Sequence, residues 1–107
     1  MAGAKIVVLY PRPSDVDVFE KAYTQDHVPL VPKFKGITKF IQSKVIGAPG
    51  GGTPAFHRIA ELHFPSMDTL NEAAASAGAQ EAVAHAVSIS TGGAPVFLVC
   101  EEETRTF

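Results

Sequence analysis

Apolar positions along this chain change period several times, and each change marks the boundary of an element. Residues 5–10 (Lys-Ile-Val-Val-Leu-Tyr) form a β-branched run that Pro11-Arg12-Pro13 closes, which predicts a buried first strand. Ser14 then reads as an N-cap, with Asp17 three positions on to complete a capping box and Pro13 and Val18 as the flanking staple. In the helix that follows, Val16, Phe19 and Tyr23 recur at helical spacing and His27 extends the line by one turn. Asp15, Asp17 and Glu20 are left for solvent, and the face that carries Tyr23 also carries His27.

Pro29 and Pro32 break regular helix while Val28, Leu30, Val31 and Phe34 keep the segment apolar, so a short second helical turn packed on the domain is expected, ending at Gly36. Residues 38–46 suit a second strand with one well-buried face and one mixed face. The loop 47–54, with Gly50-Gly51-Gly52 and two prolines, leads to a hairpin partner at residues 56–64. In that third strand Phe56, Arg58, Ala60, Leu62 and Phe64 share one parity, and His57, Ile59, Glu61 and His63 share the other. Ser66 caps a second helix from about Met67, with Asp68 in its first turn and Leu70, Ala73, Ala74 and Ala77 small enough to pack closely. Gly78 is expected to interrupt it, Val83, Val87 and Ile89 to resume it, and residues 95–101 to form the last strand.

The order strand-helix-strand-strand-helix-strand predicts an α+β, ferredoxin-like sandwich: one four-stranded antiparallel sheet with both helices on a single face. The other face then lacks a cover. Strands one and four are apolar at both parities, so pairing with the sheet of a second copy is the expected solution, giving a homodimeric α+β barrel with internal cavities.

Composition narrows the partners. With 107 residues, 46% of them hydrophobic, 19% charged, and a net charge of −2, the chain reads as one soluble domain, residues 1–107. Lys33, Lys35, Lys39 and Lys44 make only a sparse basic stretch, so nucleic acid is not an expected partner. No apolar run approaches the roughly 18 residues of a membrane helix. The single cysteine, Cys100, excludes an internal disulfide and reads as a small hydrophobe in an apolar strand. Residues 1–5 lack the features of a secretion signal, so a cytoplasmic location is expected.

The candidate chemistry centres on His27, whose ordinary pKa near 6.5 suits proton transfer at neutral pH, with Tyr23 one turn earlier to orient it. The plain structural reading is that His27 caps the end of its helix. Phe19 on the same line, and His57, Glu61 and His63 on one strand face, are the expected ligand-binding side chains. Without a third histidine or a cysteine nearby no metal is expected, and Glu61 can instead pair with Arg58 or Lys44. His85 reads as surface. The triple glycine lacks the lysine of a phosphate loop and reads as linker or mobile lid.

The helix sequence Phe-Glu-Lys-Ala-Tyr-Thr-Gln-Asp-His-Val-Pro-Leu, starting at Phe19 and followed by Gly36, resembles the EthD family of dimeric α+β barrel proteins. Ala60-Glu61-Leu62-His63-Phe64-Pro65-Ser66 is similar to that family's third strand and the entry to its second helix. The resemblance implies a pocket for a small apolar or aromatic metabolite, with no cofactor, and an association by name with ethyl tert-butyl ether degradation. It leaves two functions open. One is metal-independent acid–base or oxidative chemistry in a catabolic or biosynthetic pathway; the other is a non-catalytic ligand-binding or accessory role beside an oxygenase system.

Overall fold

A computed structural model describes residues 3–107. Strand β1 (Ala4–Pro11) alternates strictly, with Ala4, Ile6, Val8 and Tyr10 buried and Lys5, Val7 and Leu9 half-buried on the opposite side. It runs antiparallel between β3 (Phe56–Phe64) and β4 (Val96–Glu101), and β2 (Lys39–Lys44) pairs antiparallel with β3, giving the order β2-β3-β1-β4. Register decides which side chains share a face. Ile6 lies opposite Leu62 and Val99, Val8 opposite Ala60 and Phe97, and Phe40 opposite Leu62, so one apolar face runs across all four strands. Lys5, Val7, Glu61, His63, Ile41, Leu98 and Cys100 belong to the other.

Helix α1 (Val16–Lys21) begins one residue later than the Ser14 cap predicts. The Asp15 carboxylate accepts the Val18 N–H at 3.1 Å, while the Ser14 N–H donates to the Thr91 hydroxyl and so belongs to the preceding loop. The helix then widens into a π-helical turn (Ala22–His27), whose exit is marked by the Val28 N–H donating five residues back to the Tyr23 carbonyl. It tightens immediately into a 3-10 helix (Val28–Lys33), where Pro29 and Pro32 remove donors that a regular helix needs. Gly36, at φ 85°, turns the chain toward β2.

The second helical region breaks before Gly78, not at it. Helix α2 (Met67–Ala74) has its expected Ser66 cap, and a second cap follows at Ser76, whose hydroxyl accepts the Ala79 N–H at 3.2 Å and starts α3 (Ala77–Ile89). Gly78 falls in the first turn of α3, where a Cβ would stand 2.9 Å from Lys33 Cβ and 3.1 Å from the Lys33 carbonyl. Close approach to the 3-10 segment, and not a helix stop, is what that glycine permits. The buried side of α3 is Ala79, Ala82 and Ala86; Val83, Val87, Ala74 and Ala77 are exposed. Gln80, Glu81 and Ser88 lie on the opposite side of α3, with half-buried His85 at its flank, and the methyl stripe is the side that can approach closely.

The helices leave the β4 end of the apolar sheet face uncovered: Phe97 and Val99 are 38% and 62% exposed. That is where the interior opens.

Candidate functional site

Between the sheet and the helices lies a cavity of about 210 Å³. Ile6, Val8, Phe40, Ala60 and Leu62 form its floor, Val31, Phe34, Ala79, Ala82 and Ala86 its roof, and Val83, Phe97 and Val99 stand at the open end. Among the described residues that line it, only Tyr10 and His27 carry polar side-chain atoms, and none carries a formal cation.

These two arrive from different elements. Tyr10 is the last inward-facing residue of β1 before Pro11, and His27 closes the π-helical turn. The Tyr10 hydroxyl and His27 Nε2 are 3.2 Å apart, and His27 Nδ1 is 3.0 Å from Nδ1 of His85 on α3, which is half-buried. The rings form a column. Phe19 and Tyr23 stack at 5.7 Å and 12° and Tyr23 and His27 at 5.9 Å and 26°, and the His85 ring continues beside His27, 5.2 Å away and 8° from parallel, meeting it edge to edge through Nδ1. Tyr10 stands edge-on to Phe19, Tyr23 and His27.

Burial sets the ionisation of the group. It pushes His27 down to about 4, with His85 adding to the shift, pushes Tyr10 above the ordinary phenol range, and raises Tyr23 to about 12 against the pull of Arg58. At neutral pH, His27 and both tyrosines are uncharged. A neutral imidazole with one donor and one acceptor nitrogen, bonded on both sides, can receive or give a proton through either.

The expected site residues separate into three places. His27 reaches the cavity, whereas Tyr23 and Phe19 stack behind it and do not line the wall. Tyr23 keeps a buried hydroxyl with no hydrogen-bond partner among the described residues. His57 is buried at the start of β3, 3.2 Å from Glu20 Oε2 and edge-on to Phe19. Glu20 is not directed to solvent as its helix position suggests: Arg58 bonds it twice, at 3.0 and 2.7 Å, and Lys44 lies at 3.3 Å. Arg58, over the Tyr23 ring, leads the effects that hold the Glu20 carboxyl at about 2.

Glu61 and His63 lie on the far side of the sheet, because their parity is opposite to that of Ala60 and Leu62. Arg58 and Lys44, the expected partners of Glu61, are taken by Glu20; Glu61 pairs instead with Lys5 at 2.9 Å, and Lys5 also reaches Glu102 at 3.3 Å. His63 lies 3.5 Å from Glu61 and 3.7 Å from Glu102, and the ligand atoms of these three converge within 4.8 Å. The Lys5 ammonium already supplies the positive charge between the two carboxylates, and they in turn hold its proton more firmly.

Sequence reasoning passed over Tyr10 and His85. Tyr10 shares the inward parity of Ile6 and Val8, and His85 directly precedes Ala86 on the buried stripe of α3. Their partnership with His27 joins residues 17 and 58 positions away, which no local pattern records.

A four-stranded antiparallel sheet in this order, with its helices on one face and a cavity beneath them, defines a ferredoxin-like α+β protein. Residues 12–87 match the EthD domain, and the chain belongs to the EthD family. It is similar to an EthD family protein from Bacillus halodurans, at 23% identity with a TM-score of 0.87 over 96% of this chain and 100% of that one. It is 29% identical to an uncharacterized 11.0 kDa protein of the thcB-thcC intergenic region in Rhodococcus erythropolis, over 92% of this chain and 94% of that protein. A dimeric ferredoxin-like protein from Thermobifida fusca shares the fold, with a TM-score of 0.67 at 10% identity over 94% of this chain and 92% of its own. No helix among the described residues is long and apolar enough to cross a membrane.

Proposed function

We propose that this chain binds a small, uncharged apolar or aromatic metabolite between sheet and helices, and that His27 performs metal-independent acid–base chemistry on it. In this reading Tyr10 is the hydroxyl partner, and Tyr23 and Phe19 hold the His27 ring in place. The observation that carries it is the cavity wall: apolar throughout except for one hydrogen-bonded pair, Tyr10 and His27. Its size, about 210 Å³, lies below the roughly 300–1,000 Å³ of drug-sized pockets and limits the ligand to a small molecule. Without a facing cation, a carboxylate or phosphate ligand would lose its hydration with no return.

The acting unit in this proposal is a cytoplasmic homodimer. Its support is the far face of the sheet, where Val7, Leu9, Ile41 and Ile59 are half-buried, Val96 and Leu98 are exposed, and no helix among the described residues lies against them.

Paired aromatic probes test the pocket. In NMR titrations 1-naphthol is expected to shift resonances of His27 and Phe97, and 1-naphthoate to leave them unmoved; tighter binding of the carboxylate would contradict the neutral-ligand reading. With a turned-over substrate in hand, a His27→Gln variant of full activity would remove the chemical role of His27. Binding without any turnover in the parent protein would make the chain a ligand carrier.

A further inference from the structure

Tyr10, His27 and His85 make an unbroken run of polar contacts, from the inner wall of the cavity to a half-buried position on α3. We infer that His85 is the outer end of a proton relay through His27 to Tyr10, and that the ligand class is one that surrenders one proton and takes one back beside the Tyr10 hydroxyl. This rests on the acid–base function proposed above.

The two Nδ1 atoms face each other at 3.0 Å, and a hydrogen bond there takes one proton, held by one nitrogen or the other. Its position fixes the rest of the run. If His27 holds it, His27 Nε2 is bare and accepts from the Tyr10 hydroxyl. If His85 holds it, His27 carries its proton on Nε2, donates to the Tyr10 oxygen, and frees the Tyr10 hydrogen for the ligand.

The two arrangements interconvert by moving protons in a way that leaves the phenol and both imidazoles with the charge they had. Starting from the first, a ligand proton passes to the Tyr10 oxygen, the Tyr10 proton to His27 Nε2, the His27 Nδ1 proton to His85, and the His85 Nε2 proton to water; the ligand keeps the electron pair as an enolate or phenolate oxygen, to which the Tyr10 hydroxyl then donates. Starting from the second, the same steps run backwards and protonate the ligand. One abstraction followed by one delivery therefore restores the starting state, as in a proton shift across a carbonyl compound or phenol. Desolvation makes such a shuttle necessary: burial opposes both an imidazolium at His27 and a phenolate at Tyr10. The one charge that develops in the cavity is then the ligand's own, and the Tyr10 hydroxyl is the donor that meets it. His85 does not line the cavity and acts through His27; it is a positioning and relay residue.

The test uses the ligand-free protein with 15N-labelled histidine, so a failed relay remains distinct from a failed ligand reading. At pH 7 the spectra are expected to show opposite protonation at the two Nδ1 atoms. Two rings in the same Nδ1 state, or an imidazolium, would overturn the relay. His85→Phe keeps a flat ring beside His27 and removes the nitrogen, so solvent exchange of the His27 ring proton is expected to slow at least about tenfold. Exchange as fast as in the parent, or faster, overturns the proposal. His85→Ala leaves a gap that free imidazole can enter, and added imidazole is expected to restore the exchange; a purely structural role for His85 predicts no such rescue.

Discussion

His27 and His85 meet edge to edge, their rings 8° from parallel with centroids 5.2 Å apart and the two Nδ1 atoms 3.0 Å from each other. Burial opposes a positive charge on His27, and His85 adds to that opposition. The first consequence is a pH dependence of stability. The folded pKa of His27 is depressed from 6.5 to about 4, so the unfolded chain binds the extra proton first. Stability is therefore full above pH 6.5 and falls with pH down to about 4, by about 3 kcal/mol at 1.36 kcal/mol per unit. Urea unfolding at pH 7 and pH 4.5 measures this, and His27→Gln is expected to flatten that part of the profile.

The two buried tyrosines should respond in opposite ways to loss of their hydroxyls. Tyr10→Phe leaves His27 Nε2 without its partner and is expected to cost about 1 kcal/mol. Tyr23→Phe removes a buried hydroxyl that bonds to nothing among the described residues, and is expected to be neutral or to stabilise by up to about 1 kcal/mol. Thermal unfolding of the two single variants decides it; equal losses would refute the assignment of partners.

Glu20 gathers Arg58, Lys44 and His57, and its carboxyl is held at about 2. Glu20→Gln leaves Arg58 over the Tyr23 ring without its counter-charge, and is expected to cost about 1–3 kcal/mol. A depressed carboxylate pKa stabilises above its unfolded value of 4.5 and loses that contribution as pH falls toward 2, so the penalty of the variant should shrink over that window. A double-mutant cycle with Arg58→Met measures the coupling; a value near zero would place the stability elsewhere.

Light scattering tests the homodimer. At micromolar concentration the parent is expected at twice 11.3 kDa. Leu98→Asp, on the far face of β4, is expected to halve that mass and leave His27 and Phe97 resonances unchanged, because Leu98 points away from the cavity. A parent particle of 11.3 kDa would remove the dimer.

Legibility in the sequence followed the range of the forces involved. Strand β3 is found at its expected bounds because two phenylalanines and a clean alternation mark it, and the Phe19, Tyr23, His27 line is found as one column because helical spacing is local. The first helix cap moved from Ser14 to Asp15 because both side chains suit the role and only the Ser14–Thr91 contact separates them. Gly78 reads alone as a breaker; its use depends on Lys33, 45 residues earlier. His85 showed no partner because its partner comes from another helix. Glu61 and His63 were grouped with His57 by parity, but the register shifts opposite the start of β3, where His57 turns to Glu20 and Phe19, and parity does not record which side of the sheet holds the cavity.

The π-helical turn has a further consequence. A helix that accommodates an extra residue there sets the rotation of everything after it, and a regular helix advances about 100° per residue. Deleting a single residue from Ala22–His27 would swing the imidazole out of the ring column and re-aim Val31 and Phe34, which follow it along the cavity roof, while the sheet floor keeps its place. Within such a fold, chemistry at this position can be gained or silenced by a three-nucleotide insertion or deletion, a route that substitution-by-substitution comparison of relatives would overlook.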